Sequence, residues 1–354
     1  MKRILLHSIQ SETIGGTRTV VNDIKKSYLN SKYEFVDLIQ EDVCGFNPIK
    51  ACHFIVKYRK LINSKHADII YICGLLYSGF LLTLAAKLSN VKTIVLSVHG
   101  SEWDKTDGSW IRKWLFLNII EPVTVRMADA VFTVCKNELN NVAIKKGNKG
   151  NVVGVIYNSI PQVYYDNYQD GLFRTSINCP NNKILVAIVG RVVEDKGHKY
   201  IIDAINALND SDFVFVIVGD GPYLKEYTDK CSKLINNNSL FLLGVRTDVF
   251  QILRDSDVFL FATLHENHSK SLLEAIMMKC AVICTNVGGN PEIVDESCAF
   301  LIPPRNYEAI ISALKALKEE RVRQSISELA FRSVSEKFSV ANTLGKLDSL
   351  FERL

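Results

Sequence analysis

The sequence lacks the long hydrophobic segments that mark secreted or membrane-spanning chains. Its first residues, MKRILLHSIQ, are basic, but only three apolar residues separate Arg3 from His7, too few for the core of a signal peptide. Residues 69–86 carry no charge and reach the length at which a membrane-spanning helix is considered. Gly74 and Gly79 interrupt this run, so we expect a buried strand, a loop and a helix instead.

A disulfide framework is also missing. The nine cysteines are odd in number and scattered, mostly inside apolar runs. This usage is typical of buried thiols in a reducing compartment and favours a cytoplasmic protein. Cys280 and Cys284 are only four residues apart, but the strand predicted there would not bring them together on a metal ion.

Other signatures are absent as well. No internal repeat or low-complexity tract is visible, and no nucleic-acid-binding motif is recognisable. The G-x-G-x-x-G spacing of dinucleotide-binding dehydrogenases does not occur after the first strand. These absences argue against a dehydrogenase and against a nucleic-acid partner.

The chain has 354 residues, which favours about two domains. Its net charge of +4 is unevenly spread. Residues 1–165 hold 21 Lys and Arg against 13 Asp and Glu, a net +8, whereas residues 166–354 hold 21 against 25, a net −4. The difference in sign indicates a different partner for each half.

Short β-rich runs alternate with helical stretches along the whole chain, which predicts an α/β fold with parallel sheets. The alternation breaks in a polar, proline-containing stretch at 158–182. We therefore expect a first domain at 1–160, a linker at 161–182 and a second domain at 183–337. The last residues, 338–354, read as an amphipathic helix that packs back on the first domain.

In such sheets ligands bind at the carboxyl ends of the strands, so the loops there are the places to look. In the first half, Gly15 and Gly16 precede a predicted helix, whose N-terminus attracts phosphate. They could equally form a plain turn. His99 follows the fourth strand and could face a sugar or an acceptor, although a lone histidine is more often held by a neighbouring carbonyl group.

In the second half, Arg191 and Lys196 lie in the loop GRVVEDKGH, after a buried strand. An arginine fork and a lysine charge converging there would stabilise a pyrophosphate. Gly219 ends the next strand, where turn chemistry alone is a sufficient explanation. Val245 follows a third strand and offers a weak candidate for contact with a base through its backbone.

The strongest segment is FATLHENHSKSLLEAIMMKC, in which Glu266 and Glu274 are eight residues apart. Glu266 follows a strand and Glu274 lies on the next helix, so both could accept hydroxyl groups of one ligand. The helix begins at Ser269, Lys270 and Ser271, whose amides would face an anion.

These motifs resemble the retaining nucleotide-sugar glycosyltransferases of family 4, of the bacterial surface-polysaccharide type. The resemblance covers nearly the whole chain and rests on Glu266-x(7)-Glu274 followed by GGNPEIV, with GRVVEDKGH and GDGPYLKE in the expected order. It implies the GT-B fold, in which two Rossmann-like domains with parallel sheets face a central cleft. The first domain would bind the acceptor and the second the nucleotide sugar.

The resemblance also implies roles for single residues. Arg191 and Lys196 would bind the donor's pyrophosphate, Glu274 the ribose and Glu266 the transferred sugar. Gly16 would approach the phosphates, and His99 would sit beside the sugar and acceptor. One departure stands out: Asn267-His268-Ser269 replaces the family's Gly-Phe-Gly. His268 is either a further sugar contact or a packed loop residue.

The implied reaction transfers a sugar to an acceptor hydroxyl with retention and without a metal or other cofactor. No Asp-x-Asp pair is placed to hold a metal, since the DSD at 255–257 reads as a helix end. Two alternatives remain, a nucleotide-sugar epimerase and a module that binds the nucleotide sugar without turning it over.

The acceptor is less defined. Basic and aromatic residues interleave in KACHFIVKYRKLINSK and SWIRKWLFL, as in proteins that touch an anionic membrane, although solvated helix faces give the same pattern. By resemblance we expect a saccharide acceptor, lipid-linked, on the cytoplasmic face of a bacterial inner membrane.

Overall fold

The computed structural model describes residues 1–9, 16–41, 46–102, 109–161 and 165–354. The chain forms two compact units. Unit 1 comprises Met1–Ser159 and Val340–Leu354, and unit 2 comprises Ile160–Ser339. The C-terminal segment thus belongs to the same unit as the N-terminus.

Unit 1 is built on a six-stranded sheet in which every neighbouring pair is parallel. Its strands are β1 (Arg3–Ile9), β2 (Glu34–Gln40), β3 (Ile69–Cys73), β4 (Thr93–Val98), β5 (Ala130–Thr133) and β6 (Val152–Val155). Their spatial order is β2-β1-β3-β4-β5-β6. Each strand falls on a β-rich run of the sequence, as the alternating pattern predicts.

Helices connect these strands. They are α1 (Gly16–Lys26), α2 (Pro48–Lys65), α3 (Tyr77–Lys87), α4 (Trp110–Leu115), α5 (Glu121–Met127) and α6 (Val142–Gly147), with a π-helical segment, Phe116–Ile120, between α4 and α5. The uncharged run at 69–86 is divided between β3 and α3, as its glycines predict. Among the described residues, no helix has the length and apolar character needed to cross a membrane.

Apolar side chains cover both faces of this sheet. Leu5 of β1 packs in a cluster with residues of α2 and α3. Its neighbours Ile4 and Leu6 point to the other face, where they pack with Leu347 and Phe351 of the last helix, α16 (Val340–Arg353). Alternate residues of one strand therefore serve two cores, and α16 completes the second of them.

Unit 2 repeats the same architecture. Its strands are β7 (Ile184–Val189), β8 (Phe213–Val218), β9 (Leu240–Leu242), β10 (Val258–Phe261), β11 (Ala281–Thr285) and β12 (Phe300–Ile302). Their order is β12-β11-β10-β7-β8-β9, and all neighbours are parallel. The helices are α7 (Leu172–Ser176), α8 (His198–Leu208), α9 (Leu224–Lys230), α10 (Ser232–Asn236), α11 (Val249–Arg254), α12 (Lys270–Met277), α13 (Asn290–Ile293), α14 (Tyr307–Ala316) and α15 (Glu320–Lys337).

Part of the segment that the sequence predicts as a linker is folded onto unit 2. The Asp255 carboxylate accepts hydrogen bonds from the backbone N–H groups of Gly171, Phe173 and Arg174, at 2.7, 2.6 and 3.3 Å. Arg174 in turn reaches the Asp257 carboxylate at 2.5 Å, and Phe173 is buried. The sequence predicts a linker here because the segment is polar. The structure shows that polar contacts, made by Asp255 and Asp257, are what hold it to the rest of unit 2.

The described cysteines are free thiols, and all but Cys52 are buried. Burial raises the pKa of the Cys280 and Cys284 thiols far above the usual value. Thiols of this kind are inert at neutral pH, in keeping with structural use. Cys44 lies outside the described residues.

Candidate active site

The loops that follow β7, β8 and β10 of unit 2 are bound to one another through their backbones. The N–H of Gly190 donates to the carbonyl of Val218, and the N–H of Val192 to that of Asp220. The carbonyl of Asp195 accepts the N–H of Leu264 at 2.7 Å. Because the strands are parallel, these loops share the carboxyl edge of the sheet, where the sequence predicts the site.

Two glycines in these loops permit close approach of the backbone. Gly219 has φ +140°, and a Cβ there would lie 1.9 Å from the carbonyl oxygen of Gly190. Gly288 has φ +53°, and its Cβ would lie 1.8 Å from the carbonyl oxygen of Glu266. Only glycine fits at either position. Loop packing is thus a sufficient reason for the glycine at 219, and its predicted contact with the donor stays a prediction.

The structure brings Lys196 and Glu266 together. The Nζ of Lys196 lies 2.5 Å from Oε2 of Glu266, and the two side chains are only 19% and 17% exposed. The ammonium group also lies 5.6 Å from the ring centroid of Phe261. A charge-assisted hydrogen bond with this little solvent is stronger than a surface ion pair.

Arg191 lies in the same loop in a different environment. Its side chain is exposed, and it forms no ion pair with any other residue that the structure describes. An unengaged guanidinium beside a strand end can donate hydrogen bonds to two oxygen atoms of a phosphate at once. Of the two predicted cations, one is available to an anion and the other already holds a carboxylate.

Helix α12 carries the second predicted carboxylate. Ser269 caps the helix, its hydroxyl accepting the N–H of Leu272 at 3.2 Å, and lies 3.1 Å from the hydroxyl of Ser271. Glu274 is half-buried and lies three residues after Ser271, on the same helical face. Lys270 is 9% exposed. Ser271, in the first turn, and Glu274 therefore lie on the same face of α12.

His268 and Val245 differ sharply in exposure. His268 is 4% exposed, and its ring lies edge-on to that of Phe338, with centroids 4.7 Å apart. This is the packing of a loop residue, and a sugar contact would require the ring to become accessible. Val245 is 62% exposed and follows Gly244, whose carbonyl accepts the N–H of Gly219.

The predicted residues of unit 1 lie at strand and helix ends. His99 follows β4, and its Nε2 lies 2.8 Å from the Ser97 hydroxyl. Burial lowers the pKa of His99 to about 4, so the ring is neutral at physiological pH. Gly16 begins α1 with φ +57°, and Gly15 lies outside the described residues.

Two residues that the sequence did not single out, Thr263 and His198, lie next to the loop that carries Arg191 and Lys196. Thr263 places its hydroxyl 2.9 Å from the carbonyl oxygen of Asp195. His198 is 2% exposed, and neither ring nitrogen has a hydrogen-bond partner among the described residues. Burial, with a smaller effect from the charge of Lys196, lowers the pKa of His198 to about 4. The only sign of His198 in the sequence is its position directly after Lys196-Gly197, in the loop already predicted to bind an anion.

Family models match most of the chain. The model described as "Glycosyl transferases group 1" matches residues 171–332, and the one described as "Glycosyltransferase Family 4" matches residues 42–162. The first therefore falls on unit 2, with its cations and carboxylates, and the second on unit 1.

Curated relatives and solved structures agree with these matches. An Escherichia coli UDP-Gal:alpha-D-GlcNAc-diphosphoundecaprenol alpha-1,3-galactosyltransferase is 26% identical over 316 residues, covering 86% of this chain and 80% of the relative. The capsular polysaccharide biosynthesis glycosyltransferase CapM of Staphylococcus aureus is 22% identical over 88% of this chain and 83% of its own. Anabaena HepE, solved with UDP and glucose, superposes with a TM-score of 0.83 at 18% identity, covering 100% of both chains.

The structural likeness establishes the fold, and the family models together with the curated relatives establish the class of enzyme. The chain belongs to the family 4 glycosyltransferases, transferase enzymes with the two-domain α/β architecture of the GT-B fold.

Proposed function

We propose that this enzyme transfers a sugar from a nucleotide diphosphate sugar to a hydroxyl group of a lipid-linked saccharide in bacterial surface-polysaccharide synthesis. The observation that carries the donor half is the set of groups at one sheet edge of unit 2. Lys196 and Glu266 are in contact, Arg191 is available in the same loop, and α12 carries Ser271 and Glu274 on one face.

Each group suits one part of such a donor. Arg191 and Lys196 bind the diphosphate, since guanidinium and ammonium groups match its oxygen atoms in geometry and charge. Glu274 accepts the ribose hydroxyls and Glu266 those of the sugar. The N-terminus of α12 adds partial positive charge beside the phosphates.

The proposed reaction proceeds with retention and without a metal. The acceptor oxygen forms a bond to the anomeric carbon on the face from which the diphosphate departs. The bond from that carbon to the phosphate oxygen breaks, and the departing oxygen takes the acceptor proton. Arg191 and Lys196 stabilise the charge that develops on the leaving group, so catalysis rests on position and electrostatics.

The acceptor half of the proposal has two supports. The Escherichia coli relative is named for a diphosphoundecaprenol-linked acceptor. In unit 1, Trp110, Ile111 and Trp114 of α4 are 76%, 58% and 55% exposed, next to Arg112 and Lys113. Exposed tryptophan beside cations suits the headgroup region of an anionic membrane, at whose cytoplasmic face we place the enzyme.

Nucleotide release tests the proposal against its alternatives. The purified protein is incubated with a panel of UDP- and GDP-sugars, with and without a polyprenyl-diphosphate-linked saccharide. A transferase releases nucleoside diphosphate from one donor, and the acceptor accelerates the release. An epimerase converts the nucleotide sugar without an acceptor, and a binding module leaves it intact; either result would contradict the proposal.

A further inference from the structure

The ion pair between Lys196 and Glu266 joins two residues that the proposed function assigns to different parts of the donor. Lys196 is to hold the diphosphate and Glu266 the sugar. Their side chains nevertheless meet at 2.5 Å. An ammonium group that holds a carboxylate at this distance cannot offer its full attraction to a phosphate, because the carboxylate neutralises much of its charge.

Backbone hydrogen bonds hold the two loops from which this pair projects. The carbonyl of Glu266 accepts the N–H of Gly289 at 3.0 Å, and Gly288 packs against the same carbonyl. The backbone N–H of Lys196 donates to the carbonyl of Val193 at 3.1 Å. The two loops are also tied to each other, because the carbonyl of Asp195 accepts the N–H of Leu264. The two side chains therefore meet across loops whose backbones are held together, and either side chain can turn without moving its loop.

Arg191 provides the contrast within one loop. Its guanidinium is exposed and has no ion pair among the described residues, so an incoming diphosphate meets it without competition. Lys196 is four-fifths buried and engaged. Of the two cations proposed to bind the diphosphate, Arg191 is therefore always available. Lys196 is available only when Glu266 has another partner.

We propose that Glu266 competes with the diphosphate for Lys196, and that the sugar of the donor relieves this competition. The inference rests on the proposed roles of these residues. Sugar hydroxyls donate to Glu266 in the complete donor, and Lys196 then turns to the diphosphate. After transfer, Glu266 recovers Lys196, and the nucleoside diphosphate is held more weakly. The site thereby favours its donor over its own product.

Calorimetric titration with inorganic pyrophosphate isolates the diphosphate half, because this probe has neither sugar nor ribose. Glu266→Gln should bind pyrophosphate about fivefold more tightly than the wild type, equivalent to about 1 kcal/mol. Glu266→Asp keeps the charge but shortens the side chain by one methylene, and it should also bind more tightly. In a Lys196→Met background, Glu266→Gln should have no effect.

Glu194→Gln is the matched control, since it neutralises an exposed carboxylate in the same loop as Lys196 to which the proposal gives no role. Unchanged pyrophosphate binding in both Glu266 variants would overturn the competition. An equal gain in Glu194→Gln or in the Lys196→Met background would overturn it too, by showing a general effect of charge. Thermal unfolding verifies that each variant is folded. A wild-type protein that binds neither pyrophosphate nor any nucleoside diphosphate would instead refute the donor site itself.

Discussion

At the scale of single residues, the two cations of the candidate site, Arg191 and Lys196, lie in different surroundings. The sequence predicts Arg191, Lys196 and Glu266 separately, each from its own loop after a strand. It does not predict that Lys196 and Glu266 touch, because 70 residues separate them. That contact follows from the pairing of β10 with β7 in the sheet, which no local pattern specifies.

Replacing Arg191 tests the exposed cation. We expect Arg191→Ala to lower turnover by about ten- to a hundredfold, since a charged hydrogen bond to the leaving group contributes roughly 1.5–3 kcal/mol. The free energy of unfolding should change little, because the side chain is exposed and makes no ion pair among the described residues. Steady-state kinetics and denaturant unfolding measure the two effects.

Lys233→Ala, at an exposed position on α10 of the same unit, serves as the control for Arg191→Ala and should retain full turnover. A folded Arg191→Ala enzyme with wild-type turnover would remove Arg191 from the mechanism.

Buried histidines give the fold a dependence on pH. The pKa of His198 is lowered to about 4 in the folded protein, whereas an unfolded histidine titrates near 6.5. Between these values the unfolded state binds the extra proton, so stability is present above pH 6.5 and falls as the pH drops toward 4. From pH 7.5 to 5.5 this histidine should remove about 1 kcal/mol of the free energy of unfolding.

His198→Gln should reduce that pH dependence by the same amount in denaturant unfolding at the two pH values. His53→Gln, at an exposed position on α2, should leave it unchanged. An identical slope in wild type and His198→Gln would show that His198 is not held neutral in the folded state.

At the scale of elements, the strands and most helices follow from the sequence because their periodicity is local. The fold of residues 171–176 does not, since it depends on acceptors more than 80 residues away. A polar stretch between two domains predicts a linker. The structure instead shows α7 held by Asp255, whose own sequence context suggests only the end of a helix.

Asp255→Ala should therefore destabilise the protein by about 3 kcal/mol. The substitution leaves the buried N–H of Phe173 and the partly buried N–H groups of Gly171 and Arg174 without their acceptor. A buried donor without an acceptor costs roughly 1–3 kcal/mol, and a partly buried one costs less. Denaturant unfolding measures the loss. Asp248→Ala is the control. It breaks an ion pair with Arg246 in which both side chains are 40% exposed, and it should lower the free energy of unfolding by less than about 1 kcal/mol. Equal small losses would mean that Asp255 does not hold the segment.

Helix α4 is the element on which the proposed membrane contact depends. Trp110→Ser with Trp114→Ser should reduce flotation with anionic liposomes at least tenfold, because burial of a large apolar side chain is worth roughly 1.5–3 kcal/mol. Turnover with a water-soluble acceptor should be retained. Leu329→Ser, an exposed apolar position on α15, is the control. If the double variant floats with liposomes as well as the wild type does, α4 does not make the membrane contact.

At the scale of the whole molecule, the sequence predicts two α/β domains because β-rich runs alternate with helical ones on both sides of one interruption. Such a pattern does not predict the order of the strands in each sheet, because that order depends on pairing between distant segments. The observed orders are β2-β1-β3-β4-β5-β6 and β12-β11-β10-β7-β8-β9. The net charge of each half says less about its partner than the places where the charges lie. The acidic half still places Arg191 and Lys196 at the edge where a diphosphate is proposed to bind.

The central claim is that unit 2 activates a nucleotide sugar for transfer. The most direct test follows labelled sugar from a panel of nucleotide sugars onto a polyprenyl-diphosphate-linked saccharide. We expect one donor to label the acceptor with the wild type and with Lys233→Met. Lys196→Met, though folded, should label it at least tenfold more slowly. Equal labelling by Lys196→Met, or no acceptor labelling from any donor by the folded wild type, would contradict the account.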